Sequence, residues 1–132
     1  MTMIAKGSFE VSLKPLPMLG AQGVTQLARM SIDKQITGDL VATTQGEMLS
    51  AMSATQGSAG YVAIERVVGA LQGKAGSFVL QHTGTMNRGS PQHSVTVVPD
   101  SGTDELLGIT GVFKIIITGG KHLYEFEYAL PQ

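Results

Sequence analysis

A cysteine-free chain of 132 residues holds one domain with room for a buried core, and it can have neither a disulfide framework nor a thiolate that attacks a substrate or holds zinc. Its net charge of -1, with 14% charged residues and no cluster of Lys or Arg, argues against nucleic acid as a partner, and no apolar run nears the roughly 18 residues that cross a membrane as a helix. The start, Met-Thr-Met-Ile-Ala-Lys-Gly, has no apolar stretch with a cleavage site behind it, so no signal peptide and a reducing cytosol are expected.

Turn residues cut the chain into short segments that alternate with period two, the mark of an all-β sandwich or barrel. Ile4 to Lys14 sets Phe9, Val11 and Leu13 against Glu10, Ser12 and Lys14. Pro15 to Gly20 carries two prolines and reads as a long loop. Leu27 to Ile36 places Met30 and Ile32 on one face. Thr37-Gly38-Asp39 then reads as a bend or bulge before Val41 to Ala54, so the two pieces can be one long bent strand. In that second piece Glu47, Leu49 and Ala51 are taken as the inner face.

Gln56 to Gly60 turns the chain into a strand from Tyr61 to Leu71, with Tyr61, Ala63, Glu65 and Val67 on one face and Val62, Ile64, Arg66 and Val68 on the other. Both faces are apolar apart from one charge each, which suits a strand covered on both sides. After Gln72 to Gly76, Phe78, Leu80, His82 and Met86 share a face. Asn87 to Pro91 is a loop, and His93, Val95 and Val97 alternate up to Pro99-Asp100-Ser101-Gly102. Thr103 to Gly108 is a single helical turn at most, with Thr103 as its cap. Phe113, Ile115 and Ile117 lead to the Gly119-Gly120 hairpin. Tyr124, Phe126, Tyr128 and Leu130 form the clearest inner face of the chain. The whole reads as a closed or nearly closed antiparallel barrel of about eight strands, mainly a meander, in one domain over residues 1–132.

No P-loop, Gly-x-Gly-x-x-Gly, His-Glu-x-x-His or Gly-x-Ser-x-Gly motif is present. What strand phase offers is an inward patch of Glu47, Glu65 and His82 on three consecutive strands, with Tyr61 able to lend a hydroxyl. A carboxylate among apolar residues must be paired or protonated, so such a patch forms a polar floor for a small ligand or an acid–base group. The plainer alternative pairs Glu65 with Lys34 or with Arg66 of another subunit and makes His82 an ordinary core histidine. Arg66, flanked by Val62, Ile64 and Val68, suits a subunit interface ahead of an anion site. A zinc or iron site from His82, His93 and a glutamate has unspecific spacing, so no metal or cofactor is expected. His122 beside its hairpin is expected in solvent.

The runs Thr44 to Leu49, Gly60 to Val67, Gly76 to Met86 and Val95 to Gly108 resemble an uncharacterised bacterial family, and the likeness extends from about Gly7 to Tyr128. That family is similar in fold to the allene oxide cyclase and dirigent-type barrels. The resemblance implies a closed antiparallel barrel with a central cavity, often oligomeric. Plant cyclases of this fold convert a fatty-acid epoxide in an apolar cavity with one glutamate, but their motifs are absent here and the reaction is not carried over. Three roles follow: a barrel binding a small, mostly apolar ligand, which is favoured; an isomerase or cyclase using an inward carboxylate; and a structural homo-oligomer with a filled interior.

Overall fold

The computed structural model describes residues 1–20 and 22–132 and is all-β. Eight strands, β1 (Met3–Leu16), β2 (Gln26–Gly38), β3 (Leu40–Met52), β4 (Ala59–Leu71), β5 (Lys74–Asn87), β6 (Ser90–Val97), β7 (Thr110–Thr118) and β8 (Lys121–Ala129), pair antiparallel in chain order. β8 returns to β1 and closes the barrel. Closure leaves no sheet edge along most of the wall. The weakest seam is β6–β7, which pairs only at Thr96 and Val112. There the chain leaves the wall for a loop holding one 3-10 turn, Asp104–Leu106. Among the described residues no helix is long and apolar enough to cross a membrane.

The inner faces expected on β1, β4, β5, β7 and β8 are buried at the aromatic end and through the middle of the barrel, Leu13, Met86 and Ile117 at the open end are exposed, and three local expectations are corrected. The ladder of β1 continues through Pro15 and Leu16, opposite Met30 and Arg29. Beyond Phe9 β1 has no β8 neighbour, so Pro15 sits where only one side of the strand needs donors. Thr37-Gly38-Asp39 is a tight turn between two strands: Gly38 takes φ +103°, and Ile36 pairs with Ala42 across it. Thr103 makes no side-chain cap; its Oγ1 instead accepts the Ser77 N–H at 3.0 Å and pins the loop to β5.

The two ends of the barrel differ. At one end Leu40, Leu71, Leu106 and Ile109 close over an aromatic cluster, all buried. Phe78 stacks on Phe126 with ring centroids 5.5 Å apart, Phe113 on Tyr124 at 5.1 Å, and Phe126 on Tyr128 at 5.3 Å. The Tyr124 hydroxyl donates to the Thr37 carbonyl at 2.8 Å and accepts the Leu40 N–H at 3.0 Å, so the cluster also fixes the β2–β3 turn. The interior of the other half is open.

One glycine sets the spacing of the wall where polar groups gather. Gly46 lies opposite Glu65, and a Cβ at this position would stand 2.6 Å from Glu65 Cα and 2.7 Å from its Cβ. The obstacle includes backbone, which cannot yield as a side chain tip does. Gly46→Ala is expected to lower the unfolding free energy by about 1–3 kcal/mol, as overpacking does. An unchanged urea midpoint would show that the β3–β4 ladder tolerates the spread.

Candidate functional site

Four consecutive strands each send one polar side chain inward at the middle of the barrel. They are Lys34 on β2, Thr44 on β3, Glu65 on β4 and His82 on β5, and all four are buried. Period-two geometry makes this possible, because each shares a face with apolar residues that must point in: Lys34 with Ile32 and Ile36, Thr44 with Ala42, Glu65 with Ala63 and Val67, His82 with Leu80. Lys34 lies directly across from Thr44 in the β2–β3 register.

Glu65 is the hub. Its Oε1 accepts from Lys34 Nζ at 2.9 Å and lies 2.9 Å from His82 Nε2, and its Oε2 accepts from Thr44 Oγ1 at 3.0 Å. Burial opposes its charge, but the His82 hydrogen bond and the charge and hydrogen bond of Lys34 outweigh burial and hold the carboxyl down at about 2. An ionised Glu65 makes His82 Nε2 the donor and leaves Nδ1 away from the pair. The Lys34 ammonium also lies 4.8 Å from the centre of the Phe9 ring. This is the pairing of Glu65 with Lys34 that the plainer sequence reading offered.

Lys34 and His82 floor a cavity of about 700 Å³ that reaches the open end of the barrel, with Glu65 and Thr44 behind them. Ile32, Met48, Ala63 and Ile115 wall it, and Met52, Met86 and Ile117 stand near its mouth. Tyr61, half-buried, stands in the wall above the floor with its ring centre 6.5 Å from that of His82. Burial, and then the Glu65 charge, push its phenol up from the ordinary tyrosine value.

The structure separates the residues singled out from sequence. Tyr61, Glu65 and His82 come together at the cavity. Glu47 does not: it lies on the outer face, where its Oε1 takes a 2.6 Å ion pair from Arg29 and its side chain is 54% exposed. The reason is the phase of β3, whose inner positions are Leu40, Ala42, Thr44, Gly46 and Met48. Arg66 is also outside, beside a shallow groove of about 620 Å³ over Leu49, Val62 and Ile64. His122 is half-buried at the cavity mouth, 5.2 Å from the Phe9 ring, rather than in solvent. Among the described residues His82, His93 and a glutamate do not assemble as metal ligands. Lys34 completes the floor, and Thr44 bonds Glu65 behind it. The Ile32-x-Lys34-x-Ile36 alternation was the sequence signal for the lysine.

Comparison with known proteins places this geometry. A family model described as a protein of unknown function (DUF3224) matches residues 5–128. A solved structure, of a protein with unknown function from the same family from Shewanella oneidensis MR-1, is 47% identical and superposes with a TM-score of 0.96 over 100% of this chain and 99% of that one. No curated protein matches the chain.

Proposed function

This chain belongs to the DUF3224 family, proteins of unknown function, and from that premise we propose that it is a binding barrel that holds one small, mostly apolar ligand in its interior. The observation that carries this reading is the cavity of about 700 Å³, with apolar walls and a few convergent polar groups at its floor. Sites for small molecules span roughly 300–1,000 Å³ and share that character. The filled aromatic half of the barrel acts as a rigid base, so the cavity is held open without ligand. The allene oxide cyclase likeness extends, in this reading, to the architecture alone. The absence of cysteine accords with a cytosolic home.

An isomerase or cyclase using an inward carboxylate is less well supported. General acid–base work needs a group that exchanges its proton near the working pH. Glu65 is held at about 2 because the His82 and Lys34 bonds and charges outweigh its burial, and it serves as a fixed anion.

The test is titration with a neutral fluorescent probe, N-phenyl-1-naphthylamine, against the wild type and a cavity-filling variant, Ala63→Phe. Ala63 points inward beside His82 and lines the cavity. The wild type is expected to bind the probe with blue-shifted emission, and the variant to lose about tenfold or more in affinity. A wild type that leaves the probe in water sinks the reading. Equal binding by both proteins would move the site to the outer groove.

We also propose that the chain pairs with a second copy through the outer faces of β3 and β4. Val41, Leu49, Val62, Ile64 and Val68 are each about half exposed there, apolar positions interrupted by Arg66, Glu47 and Gln45, and Leu49, Val62 and Ile64 adjoin one another. Arg66 and Glu47 of two such faces offer opposite charges across a two-fold axis. Light scattering is expected to give a multiple of 13.8 kDa, and Ile64→Glu to give the monomer. A monomeric wild type at high concentration would remove this proposal.

A further inference from the structure

We infer that the ligand is an organic anion, an apolar body ending in a carboxylate or similar oxyanion, which enters head first and sets that group against Lys34 and Tyr61. The inference rests on the binding reading above and names its chemical class.

The chain has three histidines, and all of them, His82, His93 and His122, line this one cavity. Lys34 and Tyr61 are its other titratable lining residues, and none of the ten acidic residues of the chain is among them. Glu65 lies behind the wall with its side chain 0% exposed, and both of its oxygens are engaged. A ligand therefore meets the Lys34 ammonium and the Tyr61 hydroxyl and no acidic side chain on the wall. That is the inverse of a site for an amine, which needs a carboxylate within reach.

Stoichiometry at the floor points the same way. The Lys34 ammonium has three N–H groups and gives one to Glu65. The Tyr61 hydroxyl has no hydrogen-bond partner among the described residues. These are the two groups that an incoming oxyanion would use. A neutral alcohol can accept the same bonds, but a charged acceptor makes the stronger hydrogen bonds with the free ammonium N–H groups and the phenol. Met52, Met86 and Ile117 near the mouth then cover the apolar end. Head-out binding would bury the apolar end on Lys34 and leave two of its N–H groups and the Tyr61 hydroxyl without an acceptor.

The test is displacement of N-phenyl-1-naphthylamine from the full chain at pH 7.5 by a matched series of decanoate, decanol and decylamine. Decanoate is expected to bind about tenfold or more tighter than decanol, and decylamine more weakly than both. Tyr61→Phe, a change in a half-buried ring that keeps its shape, is expected to weaken decanoate several-fold more than it weakens decanol, since the charged acceptor loses the stronger bond. Lys34→Met combined with Glu65→Leu removes the buried pair together and is expected to bring the acid-to-alcohol ratio near one. Equal affinity for acid and alcohol, the amine binding best, or a bound probe that none of the three displaces would each overturn the anion assignment while leaving a binding cavity in place. A probe that fails to bind the wild type overturns the cavity reading itself, a different and separately visible failure.

Discussion

Glu65→Ala is expected to cost about 3–5 kcal/mol of unfolding free energy, the range for breaking a buried ion pair from one side. The loss exceeds that of the hydrogen bonds, because Lys34 stays behind. Its side chain is 6% exposed and Glu65 Oε1 is its ion-pair partner, so removing Glu65 strands a buried ammonium together with the Thr44 hydroxyl and His82 Nε2. A small domain has about 5–15 kcal/mol in total, so the variant should be partly unfolded at room temperature or melt far below the wild type. The companion variant, Lys34→Met with Glu65→Leu, removes both charges and fills much of their volume. It should recover most of the loss, since replacing a buried pair by well-packed apolar groups is often neutral or stabilising. Urea denaturation of the two variants and the wild type checks both. A loss below about 1 kcal/mol for Glu65→Ala would mean that water in the cavity solvates the orphaned ammonium well enough to replace its partner. Recovery in the double variant would mean that the pair is kept at this position for something other than stability.

That last point bears on how far the sequence could be read. The barrel itself was legible, because an inner face next to an aromatic cluster must be apolar: β8 shows it as Tyr124, Phe126 and Tyr128. The phase of β4 and β5 was legible too, since Val67 and Leu80 fix where Glu65 and His82 point. β3 failed for a physical reason that belongs to the site. Its inner positions hold Thr44 and Gly46, chosen to bond Glu65 and to make room for it, while its outer positions hold Val41 and Leu49 on an exposed stripe. Apolar residues therefore lie on the wrong side of the strand for a simple hydrophobic count, and Glu47 was drawn inward with Leu49. Lys34 sat in plain alternation between Ile32 and Ile36, but a lysine at an inner position is rare enough that the partner, not the pattern, identifies it. The cavity followed from the family resemblance and not from strand phase, because period-two alternation says which side chains face in and not whether they meet.

Acid should expose the same cluster without mutation. Glu65 titrates near 4.5 when unconstrained and is held at about 2 in the fold, because the His82 and Lys34 bonds and charges outweigh its burial. A group whose folded value is depressed contributes stability above its unfolded value and loses it as pH falls through the folded one. The contribution from Glu65 is thus complete above about pH 4.5 and disappears between there and pH 2, and the gap amounts to about 3 kcal/mol. Urea midpoints measured from pH 7 to pH 2 should be level for this group down to about pH 5 and then fall steeply. Glu65→Gln, which keeps the shape and cannot ionise, should start lower and fall by about 3 kcal/mol less over the same interval. Glu47 cannot imitate the difference: Arg29 lowers its carboxyl by hydrogen bond, but that pair lies in solvent and is present in both proteins. Parallel curves for wild type and variant would mean that Glu65 is protonated or wet in the native barrel. Diverging curves would establish a fixed carboxylate and its bound ammonium at the cavity floor, and a floor of that kind stays charged throughout the pH range in which a carboxylate ligand is itself an anion.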